Sequence, residues 1–410
     1  MTAGSGGASP FTAFLIAGEE SGDLLGSGLM RALAARIDRP VRFTGIGGAR
    51  MSALGLESLF PMDDIALHGV ANVVANIGRI FRRVREAAAA IVATEPDVVV
   101  FIDVPGFNLR VGRKVREARP SIPVVHYVSP TVWAWQPGRA RKMRVFVDRV
   151  LAILPFEPEV HRRLGGPPCT YVGHPLIERL SVLRSAAGER QPIVSGGKPT
   201  LLVLPGSRRS EVSRLTPLFG EAIALVAERN GLPEILVPVV PRLAGEIAAR
   251  VAGWKVKPRI VEGETEKLAA FRRAHAALAA SGTVTLELAL AGVPMVVAYQ
   301  LDPLAKLFKP IIRFQMKPPV PSIVLANLVL GEMIVPEFID KDASAEALAA
   351  AVSPLLENSP ERRRQVDAFA GLDGLMSVAP ETPSGRAADA VLATIGERRR
   401  ASGLARGSNT

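Results

Sequence analysis

Two stretches in the second half of the chain have residue types suited to holding an anion. "LLVLPGSRRSEV" reads as strand, tight turn and helix: Pro205 and Gly206 end the strand, Ser207 and Arg208 follow, and Ser210 or Ser213 is placed to cap the helix. Backbone N–H groups at a helix N-terminus, with the helix dipole behind them, attract negative charge. Arg208 adds a planar donor fork that matches phosphate oxygens. "AALAASGTVTLELALAGVPMVVAY" repeats the layout. Its strand ends at Ser281-Gly282-Thr283, where Gly282 permits close backbone approach and the two hydroxyls and nearby N–H groups suit a diphosphate. Glu287, early in the following helix, can accept two vicinal ribose hydroxyls or simply complement the dipole. Asn327, in "VLANLVLGEMIVPEF", offers an amide to a base or phosphate, although such residues also serve loops and caps. A surface arginine on an ordinary turn is the plainer reading of the first loop alone. Two cradles and a carboxylate together favour a nucleoside diphosphate. Neither loop is G-x-x-x-x-G-K-[ST] or G-x-G-x-x-G, so ATPase and dehydrogenase chemistry fall away.

The first half carries carboxylates where a sugar, rather than a diphosphate, would be met. "GEESGDLLGSGL" follows a strand and opens a helix. Ser21 and Gly22 there present N–H groups, while Glu19, Glu20 and Asp23 repel a diphosphate and suit hydroxyls. It reads as an acceptor-side loop; helix capping by Ser21 or Asp23 is the alternative, and a single sugar phosphate at the N–H groups stays open. "DVVVFIDVPGFNLRVG" ends a buried strand with Asp103. A carboxylate at the C-terminal end of a parallel strand, between apolar walls, has its pKa raised toward that of a useful base. A helix-capping aspartate is the other reading. In "VVHYVSPTVWAWQPGRARKM", His126 is a second base or a core histidine, and Ser129 is an acceptor-side hydroxyl. Trp133 and Trp135 flank sugar rings if exposed and fill the core if buried. His174, in "VGHPL", reads as structural. Five histidines and one cysteine show no ligand spacing, so neither a metal nor another cofactor is expected.

Such groups need rigid strand ends to hold them. Strand candidates stand at 13–17, 41–45, 98–103, 124–128 and 150–154, then at 200–204, 234–239, 276–280 and 295–299, with alanine-rich helical stretches between them. Runs that are apolar throughout imply strands covered on both faces, hence parallel sheets flanked by helices. The fold class expected is α/β, with two doubly wound Rossmann-like domains facing a cleft. A chain of 410 residues fits two domains. Residues 10–180 form the acceptor- and membrane-facing domain, 181–199 a Ser-, Gly- and Pro-rich linker, and 200–385 the nucleotide-sugar domain. A helix at about 386–399 is placed to pack back on the first.

The net charge of +11 calls for an anionic partner, while 5% aromatic content and the lack of nucleic-acid signatures argue against nucleic acid. Lone Cys169 fits a reducing compartment, and neither a signal peptide nor a spanning segment is expected. From Ile77 to Ala93, apolar residues (Ile77, Ile80, Phe81, Val84, Ala88, Ile91, Val92) share one helical face and Arg79, Arg82, Arg83 and Arg85 the other. That pattern suits an ordinary surface helix or an interfacial one, the former being commoner. "LAKLFKPIIRFQMKPPVP" sets Lys306, Lys309, Arg313 and Lys317 around Phe308, Ile311 and Phe314, with Pro310 interrupting any helix. This second segment reads as contact with acyl chains or a membrane surface.

Taken in order, "AGEESGD", "GIGGARM", "HYVSPTVWAW", "LPFE", "VGHPL", "LPGSRRSEV", "ASGTVTLE" and "PMVVAYQ" closely resemble the lipid-A-disaccharide synthase family, from about Ala13 to Ile339. The resemblance implies a GT-B-like, inverting, metal-independent glycosyltransferase. It implies transfer of 2,3-diacylglucosamine from UDP-2,3-diacylglucosamine to 2,3-diacylglucosamine 1-phosphate, forming a β-1,6 disaccharide. It further implies peripheral attachment at the cytoplasmic face of the membrane, and leaves a homodimer open. By position, Asp103 matches the family's catalytic aspartate, and Arg208, Glu287 and Asn327 its UDP-binding positions. The chain departs from the family pattern at Gly106 (usually aspartate), Gln136 (usually arginine) and Ala326 (usually proline). The rival readings are a UDP-N-acetylglucosamine 2-epimerase of similar architecture and a non-catalytic UDP-sugar- or lipid-binding protein.

Overall fold

The computed structural model describes residues 9–65, 77–194, 197–301 and 322–407. They divide into two compact units, residues 1–175 with 378–410, and residues 176–377. The first unit holds seven strands: β1 (Phe11–Ala17), β2 (Val41–Ile46), β3 (Glu57–Ser58), β4 (Val98–Ile102), β5 (Val124–Tyr127), β6 (Arg149–Ala152) and β7 (Cys169–Tyr171). All pair in parallel, in the order β3-β2-β1-β4-β5-β6-β7. The second holds β8 (Thr200–Leu204), β9 (Glu234–Val239), β10 (Arg259–Glu262), β11 (Ala276–Ala280), β12 (Met295–Tyr299) and β13 (Glu337–Ile339), again all parallel, in the order β10-β9-β8-β11-β12-β13. The expected doubly wound α/β class is therefore present twice. The strands missed in the sequence (β3, β7, β10, β13) are short edge or near-edge strands whose pattern is not continuously apolar.

The pleat explains the apolar runs. Along β1 and β4, Ala13, Leu15, Ala17, Val98, Val100 and Ile102 join one buried cluster, while Phe14, Ile16, Val99 and Phe101 join the cluster on the opposite face. Alternate side chains meet helices on both sides, so residues 13–17 and 98–102 are apolar throughout. The helix Pro383–Gly407 supplies Ala387, Ala388, Val391 and Ile395 to the first of these clusters. Its polar side is tied down by Arg36 to Asp389 (2.7 Å) and by Arg149 to Glu397 (2.7 Å). Residues 387–395 are thus built into the core of the first unit.

The amphipathic stretch is the helix Ile77–Thr94. Val84, Ala87, Ala88 and Ile91 are buried on the sheet, whereas Ile77 and Phe81 at its start are about half exposed (52% and 46%). Arg82 and Arg85 face solvent, but Arg83 turns inward to pair with Asp64 and with Glu86 (2.7 Å). The second apolar-basic segment, with Lys306, Lys309, Arg313 and Lys317, lies outside the described residues. No helix among the described residues is long and apolar enough to cross a membrane.

Candidate active site

In a doubly wound sheet, ligands gather at the C-terminal strand ends where the strand order reverses, because the two loops there diverge to opposite faces. In the second unit that point lies between β8 and β11, which pair Leu204 beside Ala279. The loops leaving those two strands are Pro205–Arg208 and Ser281–Thr283, the two cradles singled out in the sequence. Ser207, Arg208, Gly282 and Thr283 are all exposed there. Gly282, at φ 150°, and Gly206, at φ 116°, hold backbone conformations that L side chains avoid. Ser281 Oγ donates to Ile323 O (2.9 Å), which fixes the second loop against the next segment.

The first cradle differs from the sequence reading in one respect. Neither Ser210 nor Ser213 caps the helix Arg209–Asn230; Ser213 Oγ donates to Ser210 O within the first turn. Instead Glu211, only 7% exposed, folds its carboxylate back into the loop. Oε2 accepts from Ser207 N (3.2 Å) and Arg208 N (3.3 Å), and Oε1 accepts from Arg208 Nη1 (2.8 Å). A carboxylate one turn into a helix reaches its own N-terminal amides, the arrangement of a capping box. The sequence hides it, because the N-cap position three residues before Glu211 is Arg208 rather than the serine or threonine of the usual signal. Arg242 Nη2 holds Ser207 O from the other side (2.8 Å).

Glu287 lies partly buried and accepts from Lys267 Nζ (2.6 Å), so its charge is already balanced. Asn327 is 2% exposed. Its Oδ1 accepts from Ile334 N and Val335 N, and its Nδ2 donates to Val335 O (3.0 Å) and Glu337 Oε1 (2.9 Å). All of its polar capacity is spent on the 327–337 loop. The structure thus gives it the loop-holding role that was the plainer alternative, and not an amide directed at a ligand.

In the first unit the order reverses between β1 and β4, paired at Ala17 and Ile102. The loop after β1 carries Gly18, Glu19 and the start of the helix Glu20–Ala34; the loop after β4 begins with Asp103. The two loops touch, since a Cβ on Gly18 would lie 2.5 Å from Val104 Cγ2. Asp103 and Val104 both sit at positive φ (54° and 41°), conformations that cost a non-glycine residue roughly 1–3 kcal/mol each. A β-branched residue there is an outlier held by its surroundings. The holding contacts are Asp103 N to Tyr127 O (2.9 Å) and Asn108 Nδ2 to Asp103 O (2.8 Å). Asn108 is fully buried, and its role was invisible in the motif "DVPGFN" because only the fold brings its amide under the turn.

The remaining acceptor-side residues separate into two groups. Ser21 is exposed and Glu19 partly so, at a helix start with no side-chain cap. Asp23 is 4% exposed, and its carboxylate accepts from Gly48 N (2.8 Å), Arg50 N (2.8 Å) and Met51 N (3.1 Å). It caps not its own helix but the next one, Ala49–Ser52, so its assignment to an acceptor's hydroxyls is corrected. Gly22 is buried against Ala17, where only a small residue fits. His126 lies inside β5 with both faces covered. Neither ring nitrogen makes a hydrogen bond of ordinary geometry, and burial pushes its pKa down to about 4, so it is a core histidine rather than a second base. Ser129 is buried too, its Oγ bonded to Pro130 O and to His161 Nε2 (3.0 Å).

Those bonds belong to a buried polar group that the sequence did not disclose. Glu157 accepts from Trp133 Nε1 (3.3 Å) and Leu154 N (3.1 Å), and burial raises its pKa to about 7. Trp133 also meets Phe156 edge to face. The loop from Ser129 to Gln136 is thereby fastened to the helix Glu157–Arg163, with the partly buried Trp133 indole packed against Phe156.

A family model described as Lipid-A-disaccharide synthetase matches residues 13–376. The lipid-A-disaccharide synthase of Nitrobacter hamburgensis is 53% identical over 383 residues, spanning 93% of this chain and 95% of that protein. Among solved structures, the UDP-GlcNAc 2-epimerase from Neisseria meningitidis bound to UDP-GlcNAc aligns with a TM-score of 0.59 at 12% identity, covering 94% of this chain and 100% of that one. The glycotransferase of kitacinnamycin aligns with a TM-score of 0.58 at 17% identity, covering 95% and 100%. At such identities these structures share the fold alone. The epimerase reading has no more than that behind it.

Proposed function

This chain belongs to the lipid-A-disaccharide synthetase family, and on that premise we propose that it transfers 2,3-diacylglucosamine from UDP-2,3-diacylglucosamine to the 6-hydroxyl of 2,3-diacylglucosamine 1-phosphate. The products are the β-1,6 disaccharide 1-phosphate and UDP. The observation that carries the residue roles is the position of the loops: both anion cradles leave the order-reversal point of one sheet, and Asp103 leaves that of the other.

Asp103 takes the proton from the acceptor 6-hydroxyl as that oxygen attacks the donor's anomeric carbon. The bond to the UDP oxygen breaks on the opposite side, which inverts the configuration. Negative charge then builds on the diphosphate, where Arg208 and the amides of the Gly206–Arg208 and Ser281–Thr283 loops stabilise it. Glu287 receives the ribose hydroxyls beside Lys267, while Glu19, Ser21 and Gly22 border the acceptor. The hydrogen bonds from Asp103 N to Tyr127 O and from Asn108 Nδ2 to Asp103 O hold the strained turn, and with it the base, in one orientation. Exposed Ile77 and Phe81, next to Arg82 and Arg85, set the acyl-bearing face against an anionic membrane surface at the cytoplasmic side.

The test is mass spectrometry of the product formed from UDP-2,3-diacylglucosamine and its 1-phosphate partner. A disaccharide 1-phosphate is expected. Epimerised UDP-sugar without disaccharide, or no product at all, refutes the proposal. Co-sedimentation with anionic vesicles tests the membrane face, with binding lost in Phe81→Glu.

A further inference from the structure

The loop read as the diphosphate cradle already holds an anion, and it is one of the protein's own. Glu211 accepts from the amides of Ser207 and Arg208 and from the Arg208 guanidinium, the same three donors that a diphosphate would use. The carboxylate is almost fully buried, whereas the Arg208 side chain is 60% exposed. Gly206 is shaped around this arrangement. A Cβ there would stand 2.6 Å from Glu211 Oε2, and its φ of 116° already excludes an L side chain. Only glycine lets the carboxylate reach the loop. The two amide bonds, at 3.2 and 3.3 Å, are long for charge-assisted bonds, while the bond to Arg208, at 2.8 Å, is of ordinary length.

From this geometry we infer that Glu211 is a resident counter-anion. It holds the cradle in shape when the site is empty, gives up its donors to the diphosphate of the bound UDP moiety, and takes them back as UDP leaves. The inference rests on the reading of Gly206–Arg208 as the diphosphate loop. No bond is made or broken in this exchange; three donors pass from one anion to another. A fixed negative charge a few ångströms from a bound diphosphate opposes it, because like charges at that range in a partly desolvated loop repel strongly. The charge that keeps the empty loop ordered therefore also weakens the grip on UDP. It serves turnover by hastening release of the product, because free UDP carries one more negative charge than the diphosphate of the UDP-sugar and is opposed more strongly by a fixed carboxylate. Glu211 is a positioning residue in this scheme: it acts through Arg208 and the loop amides and touches no reacting atom.

Glu211→Gln retains the shape and one acceptor oxygen while removing the charge. UDP binding, measured by calorimetry on the full chain, is expected to tighten about tenfold, equivalent to about 1.4 kcal/mol. Product inhibition by UDP should strengthen by the same factor, and kcat should fall as release slows. Glu211→Asp serves if the glutamine variant does not fold. It keeps the charge but withdraws it by one methylene, and UDP should then bind a few-fold more tightly. Unchanged or weaker UDP binding in a folded variant overturns the inference, because a purely structural cap would only loosen the loop. Absence of UDP binding by the unaltered protein would instead remove the diphosphate-loop reading on which the inference stands.

Discussion

Asn108 offers a direct test of how the base is held. Its Nδ2 donates to Asp103 O at 2.8 Å from a site with no solvent exposure, across a turn whose two central residues are both left-handed. Asn108→Ala removes that donor and strands a carbonyl, which costs roughly 1–3 kcal/mol. The turn itself carries about 1–3 kcal/mol of strain per residue, so the lost bond is comparable with the energy driving the turn to relax. Relaxation moves Asp103, and a displacement of about 1 Å in a reacting group lowers turnover by about 100-fold. The expected result is a kcat reduced by that factor, KM for both substrates within about threefold of the parent, and a lowered urea midpoint. The assay is initial-rate kinetics of disaccharide formation with both substrates varied, beside urea unfolding followed by circular dichroism. Full kcat in a destabilised Asn108→Ala protein would refute the reasoning, since the turn would then hold Asp103 without its buried amide.

Asp103→Ala should abolish transfer while leaving calorimetric UDP binding within about twofold; substantial residual turnover would remove Asp103 as the base. Arg208→Ala should raise KM for the UDP-sugar by about 10- to 150-fold, the worth of one charged hydrogen bond, with little change in KM for the acceptor. Equal effects on both substrates would contradict its assignment. His126, His161 and His174 are buried, and burial holds each near pKa 4 instead of the ordinary 6.5. The unfolded chain takes up protons that the fold refuses, so stability falls as pH drops from about 6.5 through 4, and urea midpoints across that range should show it. Glu157 works in the opposite direction. Its carboxyl is held near 7 by burial against an ordinary 4.5, so the fold retains a proton that the unfolded chain sheds, and stability is lost as pH rises from about 4.5 through 7. Glu157→Gln should therefore gain on the parent across that window, by about 3 kcal/mol at most; parallel midpoint curves would exclude the assignment.

Much of the fold could be read directly from residue order. β4, "VVVFI", is apolar at every position because both faces are covered, and the same holds for β11 and, after Thr200, for β8. Each of those runs ends in residues a strand does not favour, Asp103-Val104-Pro105, Pro205-Gly206 and Ser281-Gly282, so the strand ends and the loops beyond them announce themselves locally. That is why the α/β class, the two loops read as anion cradles and the place of Asp103 at a strand end needed no coordinates. Local sequence could not say which polar groups have their bonding capacity already spent. Asp23 reaches amides 25 to 28 residues away, Trp133 meets a glutamate 24 residues on, and Asn327 spends its amide on a returning loop. The motif shows a carboxylate or an amide in each case, but its partners are chosen by how strands and helices stack. Even Glu211, close in sequence to the loop it fills, becomes a competitor for the diphosphate only because packing buries it beneath Gly206. Residue type and spacing determine which chemistry is on hand. Burial and long-range contact decide which of those groups remain available to a ligand, because a polar group taken from water must find its partner inside the protein before it can serve anything else.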